Sequence, residues 1–470
     1  MSNKQYKNLI TNSLVFTIAN FGSKVISFIM VPLYTYVLSK EEYGTVDLMT
    51  TFNSLLIPIL FLCASDAVLR YCMDKRYNSR EVISNSLFIY IWGTGLICLI
   101  IPILGKIYPD VAQYSICLGI LFLSNGLMQV SNQYLRASGH IKAFAVNGIV
   151  YTFAFASLNI LFLVKFRLGI NGYLYSMIAS NTICILVAAF CSRIWHVITF
   201  KIYPKTLKVM LKYSVPLIPN ALMWWIMDAS DKLVITYYLG VGATGVFAIA
   251  KKLPTLIDTF HSIFNQAWQI SAIQENDSSN VKEFTSNVYK IYFTFMVLIE
   301  GGLLTIARPF VTYILSDSYE STWLYIPFLL LAVGCSCLSG FLSANLIASE
   351  QTAQILKTTV IGAIINTILN FLLIPTLGLN GGAIATFLGF LVVLKIRENL
   401  LIHQEKLGIK FNRILLITII GIQIFVYYVF PFSYALALLC VLEIILIILV
   451  RKTIWQFIQP IVNKLFKKER

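Results

Sequence analysis

The chain has 470 residues, 58% of them hydrophobic and only 12% charged, with a mean hydropathy of +0.78. A soluble domain carries about twice that charged fraction, roughly 25%, so a soluble enzyme with a single anchor is excluded. The formal net charge of +15 does not indicate nucleic acid either, because the Lys and Arg side chains collect on one side of a series of apolar segments.

In chain order, the apolar blocks predict helices near 11–38, 43–72, 80–106, 111–137, 141–165, 168–195, 207–239, 242–272, 285–313, 321–348, 351–375, 378–402, 411–431 and 433–451. Many exceed the roughly 20 residues that cross a hydrocarbon core. The first block is too long for the apolar stretch of a signal peptide, and no small-residue cleavage site follows it. With the N-terminus on the cytoplasmic side, only Lys40, Lys106, Lys165, Arg167 and Arg308 fall in loops and helix ends on the opposite side. That asymmetry predicts cytoplasmic N- and C-termini. The nine cysteines lie in apolar segments without CxxC spacing, so packing is their expected role.

The chain repeats itself. Thr35, Tyr36, Leu38 and Gly44 recur as Thr236, Tyr237, Leu239 and Gly245, each 201 residues on. LRASG at 135–139 returns as LIASE at 346–350, Asn159 as Asn370, and LGINGY at 168–173 as LGLNGG at 377–382. Collinear matches of this kind predict a duplicated helix bundle, which in a polytopic membrane protein points to a transporter. The expected fold is an all-α integral membrane protein of about 14 transmembrane helices. Two six-helix lobes, helices 1–6 and 7–12, are related by a pseudo-two-fold about the membrane normal, with two further C-terminal helices. The expected boundaries are 1–200, 201–405, 406–452 and, for a basic amphipathic tail on the cytoplasmic leaflet, 453–470.

Charges inside the predicted spans mark the functional candidates, because a centrally placed Lys or Asp costs about 2.5–3.5 kcal/mol on insertion scales and therefore faces water or a partner. Lys24 shares one face of helix 1 with Asn20 and Ser27, a stripe that suits a water-filled lumen. In helix 8, Lys251, Thr255, Asp258, Ser262, Asn265 and Gln269 share a face, with Lys252 and His261 beside it and Pro254 in the middle. Either Lys251 or Lys252 faces the lumen. Helix 7 carries Asp228, Asp231 and Lys232; Asp228 and Lys232 have the spacing of an internal ion pair, leaving Asp231 for a helix 8 lysine or a transported proton. Asp66 and Arg70 form a similar pair in helix 2, while Glu300, Glu398 and Glu443 read as isolated charges held by packing or helix-end solvation. Neither a GxxxxGK[ST] loop, an HExxH pair nor a nucleophile elbow is present. No enzyme activity, cofactor or metal is therefore expected, and transport is passive or coupled to an H⁺ or Na⁺ gradient or to the membrane potential.

GSKVISFIMVPLYTYVLSKEEYG (22–44), DASDKLVITYYLGVGATGVFAIAKKLP (228–254) and ILNFLLIPTLGLNGGAIATFLG (368–389) resemble, respectively, the helix 1–2, 7–8 and 11–12 regions of the polysaccharide transporter family. Those proteins are the O-antigen and capsule repeat-unit flippases of the multidrug/oligosaccharidyl-lipid/polysaccharide exporter superfamily. The resemblance implies a MATE-like fold in the bacterial cytoplasmic membrane. It implies an undecaprenyl-diphosphate-linked oligosaccharide as cargo, carried from the inner to the outer leaflet by alternating access. Membrane lipids, and a polysaccharide polymerase with its chain-length regulator, are the implied partners. Lys24, Lys251, Lys252 and Lys232 are then the candidates for the diphosphate or an acidic glycan, since lysine meets phosphate as a flexible point charge. Asn20, Ser27, Thr255, Ser262, Asn265 and Gln269 would line the lumen, with Asp228, Asp231, Asp258 and Asp66 as ion-coupling groups or cavity ion pairs. The alternatives are a multidrug or lipid-linked peptidoglycan precursor exporter of the same superfamily and, more remotely, a membrane-embedded polymerase or acyltransferase.

Overall fold

The computed structural model describes residues 26–74, 76–107, 113–275, 280–349, 351–409 and 411–466, and over these the chain is helical without a strand. It divides into two compact units, Met1–Thr236 with Gly240–Gly245, and Tyr237–Leu239 with Val246–Arg470.

In the first unit, α1 (Ile26–Val37) leads into α2 (Lys40–Leu60) through a capping box. The Ser39 hydroxyl accepts from the Glu42 N–H at 3.1 Å, and the Ser39 N–H donates to the Glu42 carboxylate at 2.8 Å. Two orphan donors are thereby satisfied where the helix begins. Leu62 and Cys63 then take positive φ (51° and 50°), and the chain bends by 54° into α3 (Ala64–Met73). The Phe61 ring at the bend stacks on Tyr90 at 4.2 Å and fills the space over Gly126, whose carbonyl accepts from Tyr90 Oη at 2.9 Å. The unit continues with α4 (Ser79–Ile107), α5 (Ser115–Ala137), α6 (Ile141–Asn159, followed by a π-helical turn) and α7 (Gly169–Ser192). Then come α8 (Pro204–Ser214) and α9 (Leu217–Leu239). The break between α8 and α9, where the sequence predicts one helix, falls at Pro216, which has no N–H to continue the ladder.

The expected helix over 242–272 is likewise two, α10 (Val241–Ala250) and α11 (Thr255–Glu275), separated by a turn at Lys251–Pro254. Within a helix a proline ring would clash with the carbonyl four residues back, and it disfavours the α region for the residue before it, so a break at Pro254 is the expected outcome. The second unit then builds α12 (Val281–Ile314), α13 (Ile326–Ala348), α14 (Thr352–Leu377), α15 (Leu379–His403), α16 (Arg413–Val429) and α17 (Phe432–Phe466). The expected separate tail from residue 453 is a continuation of α17, which runs unbroken to Phe466.

Among the described residues nine helices are long and apolar enough to cross a membrane, and the bent pair α2–α3 makes a tenth. The remaining expected segments depart from that standard for local reasons. The first is described only from Ile26 and α16 spans 17 residues, while α9 and α11, at 23 and 21 residues, are long enough but carry the charged and polar residues singled out above.

The repeated residues occupy equivalent structural positions. Ser138 and Ser349 cap the C-termini of α5 and α13. Gly169 opens α7 and Gly378 stands before α15, with φ of 54° and 60°, the left-handed region that an L side chain rarely adopts. Asn159 and Asn370 are both fully buried. Gly44 and Gly245 meet: a Cβ on Gly44 would overlap the Val241 carbonyl, and one on Gly245 would overlap the Lys40 carbonyl. Gly44→Ala is expected to lower the stability of the detergent-purified protein by about 1–3 kcal/mol, the usual range for overpacking. Gly148→Ala, where a Cβ meets nothing within 4 Å, should be neutral or stabilising. Thermal unfolding of the two variants checks this, and equal midpoints would refute the close contact.

Candidate functional site

The candidate residues fall into one group in each unit. In the first, Lys232 of α9 reaches α2. Its Nζ donates to Asp47 Oδ1 at 3.0 Å, lies 2.9 Å from Oδ2, and approaches Thr51 Oγ1 at 3.4 Å. Both charged side chains are largely buried, 16% and 11% exposed. About two turns toward the start of α9, Trp225 Nε1 donates to the Thr51 carbonyl at 3.2 Å and stands equally close to Ser54 Oγ. Asp231 is buried, and its Oδ1 accepts from the Lys232 N–H at 2.8 Å. Deeper in this unit Asn125 donates to Asn53 at 2.7 Å. Asp228 lies on α9 with its side chain outside the described set, and Lys24 and Asn20 lie outside the described residues altogether; Ser27, on α1, is exposed.

Asp66 is half-buried at the start of α3, just past the bend. The expected Asp66–Arg70 ion pair is not among those of the described residues; the Arg70 guanidinium lies 4.9 Å over the Tyr213 ring.

In the second unit Lys251 and Lys252 sit in the turn between α10 and α11, both half-buried, with the Lys251 ammonium 5.4 Å from the Phe247 ring centroid. Along α11, Ile257, Trp268 and Ala272 are buried on the face that packs on α13. Trp268 stacks on Phe341 at 4.5 Å and donates to its carbonyl. The other face carries the polar stripe: Thr255 and Asp258 are exposed, and Ser262, Asn265 and Gln269 are half-buried. Cys337 Sγ approaches Asp258 Oδ1 at 3.7 Å, and His261 Nδ1 lies 2.5 Å from Tyr292 Oη. An exposed carboxylate on a helix of a membrane protein faces water or another polar group, because lipid solvates it so poorly.

Other buried charges escaped sequence reasoning. Asp47 is one; its stripe with Thr51 and Ser54 has the same helical spacing that marks α11 and was the available signal. Glu398 is not isolated: Lys395 Nζ lies at 2.9 Å, Arg413 Nη1 at 3.1 Å, and Tyr289 Oη donates at 2.6 Å. Glu443 is not isolated either, since Gln423 Nε2 donates to it at 3.1 Å. Arg397 is 1% exposed and held by neutral oxygens, including those of Ser339, Ser343, Thr358 and Thr359. Its donors are consumed in joining α13, α14 and α15, which makes it a structural clamp.

Residues 9–269 match the family model described as "Polysaccharide biosynthesis protein". The chain belongs to that family. The match includes the stretches at 22–44 and 228–254 and bears out the resemblance read there. Among curated proteins the chain is similar to "Lsg locus putative protein 1" of Haemophilus influenzae (strain ATCC 51907 / DSM 11121 / KW20 / Rd). The two are 22% identical over 264 residues, 54% of this chain and 64% of that protein, so the match spans less than two thirds of the relative. The fold is shared with "Lipid II flippase MurJ, inward closed conformation", at a TM-score of 0.72 and 14% identity, covering 96% of this chain and all of that one. It is also shared with an inward-facing multidrug resistance MATE family transporter of the MOP superfamily, at a TM-score of 0.66 and 15% identity, covering 83% and 98%. This member of the polysaccharide biosynthesis family is thus a multi-pass, all-helical membrane protein with the MurJ/MATE fold.

Removing one partner of a buried ion pair strands the other, at a cost of about 3–5 kcal/mol. Asp47→Leu and Lys232→Met should each destabilise the family member by an amount of that order, and the double variant should recover much of it. A double-mutant cycle on unfolding in detergent measures the coupling; strictly additive losses would dissolve the pair.

Proposed function

We propose that the chain is a flippase that carries an undecaprenyl-diphosphate-linked oligosaccharide repeat unit from the inner to the outer leaflet of the bacterial cytoplasmic membrane. It serves capsule, O-antigen or exopolysaccharide synthesis. Family membership supports the pathway class, and the MurJ/MATE fold supports a transporter. The observation that carries the reading is the presence of half-buried or buried cations within the apolar segments. Lys232 is held by Asp47 and Thr51, and Lys251 and Lys252 lie half-buried at the break before a polar α11 face. A diphosphate passing through a membrane protein needs compensating charge at depth, and lysine supplies it without the fixed fork that makes arginine slow to let go.

In this reading the repeated lobes, 1–200 and 201–405, alternate access, and 406–452 adds two helices outside the repeat. Lys24 and Lys251 or Lys252 meet the diphosphate, while Lys232 exchanges Asp47 for a phosphate oxygen when cargo arrives. Asp228, Asp231, Asp258 and Asp66 compete for the lysines or carry a coupling H⁺ or Na⁺. Ser27, Thr255, Ser262, Asn265, Gln269 and Asn20 offer hydroxyls and amides to the glycan. Both termini are cytoplasmic, and a polymerase and chain-length regulator receive the product. The half-buried lysines favour this reading over a multidrug exporter, whose cationic cargo calls for acidic or aromatic walls.

In a strain lacking its own copy of the gene, Lys24→Ala is expected to abolish surface polysaccharide while leaving the protein level unchanged. Immunoblotting of membranes beside polysaccharide staining reads both quantities. Normal surface polysaccharide in that variant removes Lys24 from the mechanism.

A further inference from the structure

Glu300 lies within α12 and is used by nothing described so far. It is 8% exposed, and among the described residues its carboxyl has no hydrogen-bond or ion-pair partner. The fold makes room for it: Gly334 of α13 lies against Glu300 Oε1, where any Cβ would overlap the oxygen. Glu300 lines a partly open cavity of about 220 Å³ between α12, α13, α15 and α16. A single water needs only about 10–15 Å³ on that measure, so there is room for several. Most of the wall is carbon, with Phe293, Leu331, Phe387 and Ile420 among its residues. Its charged residues besides Glu300 are Lys395, Glu398 and Arg413, the three that form the ion cluster.

That cluster marks one end of the helices. Arg413 opens α16, and Tyr289, whose hydroxyl bonds Glu398, stands eleven residues before Glu300 on α12. At ~1.5 Å per residue Glu300 lies about 16 Å further along. The cavity therefore joins an ionic cluster near the helix ends to a lone acid within the span.

We propose that Glu300 is a proton-binding site, loaded and unloaded through this cavity from the end that carries Lys395, Glu398 and Arg413. An ionised carboxylate against a carbon wall is strongly penalised, and a neutral acid much less so. A single carboxyl offers a hard metal ion too few oxygens, which leaves the proton as its ligand. Water entering the cavity lowers the penalty on the charged form and lets the proton leave toward the ion cluster.

The other titratable groups around α12 are accounted for. Cys335 and Cys337 come from α13 and Glu443, bonded to Gln423, from α17. From α11 come Asp258, beside Cys337, and His261, bonded to Tyr292. Asp317 and Glu320 belong to the 3-10 segment that follows α12.

On the transport reading this proton is the coupling ion, but the test does not need transport. Infrared difference spectra of the purified chain in nanodiscs, recorded without substrate across a pH step in K⁺ buffer, should contain a carboxylic-acid stretching band that vanishes as pH rises. Glu300→Gln should remove that band and Glu443→Gln should keep it. Glu300→Asp, which retains an acid one methylene shorter, should shift it and serves if the glutamine variant does not fold. Replacing K⁺ by Na⁺ should leave the band in place. A band unchanged in Glu300→Gln, unshifted in Glu300→Asp, or abolished by Na⁺ overturns the proposal. Absence of flippase activity in the unaltered protein, with these spectra as expected, would count against the transport reading alone.

Discussion

A polar side chain surrounded by hydrocarbon has only protein and trapped water to bond with, and that constraint organises both units. The helices satisfy their own backbones, so the energetics turn on the side chains left over. Arg397 meets it with a shell of hydroxyls and carbonyls drawn from two neighbouring helices. Glu398 meets it with two cations and a phenol. Asp47 and Lys232 meet it with each other. Each arrangement ties helices together, so the charges that make the chain unusual also fix its packing. Glu300 departs from this pattern, an acid beside a cavity with no partner among the described residues.

Much of the fold was legible because its signals are local. Helix boundaries follow hydropathy, and α4, α5, α7 and α12–α16 begin and end within a few residues of expectation. The repeat was legible because it is written in residues with backbone duties: serines at helix C-termini, glycines at positive φ, and asparagines sealed between helices. The α11 stripe was legible because helical period alone defines a face. Breaks were harder. Pro254 and Pro216 were visible, but whether a proline bends a span or divides it depends on what packs around it.

Partners across the fold were not legible. Lys232 binds Asp47, 185 residues distant in the chain, a partner that no spacing within α9 announces. Glu398 looked solitary because Arg413 belongs to the next helix. Glu443 looked solitary because Gln423, an uncharged residue, carries no signal in a charge map. In each case the missing term is helix rotation, which a few degrees of packing decide and a sequence pattern leaves open.

The Gly44–Gly245 contact has a bearing on descent. Residues 40 and 44 touch residues 245 and 241 in reciprocal fashion, each glycine lying on the carbonyl of the other segment at the same offset. A reciprocal contact of one surface with its own copy is the mark of an isologous interface, the kind that a symmetric dimer forms at its axis. A half-length ancestor that paired through this glycine needed only fusion of its two copies to become a single chain.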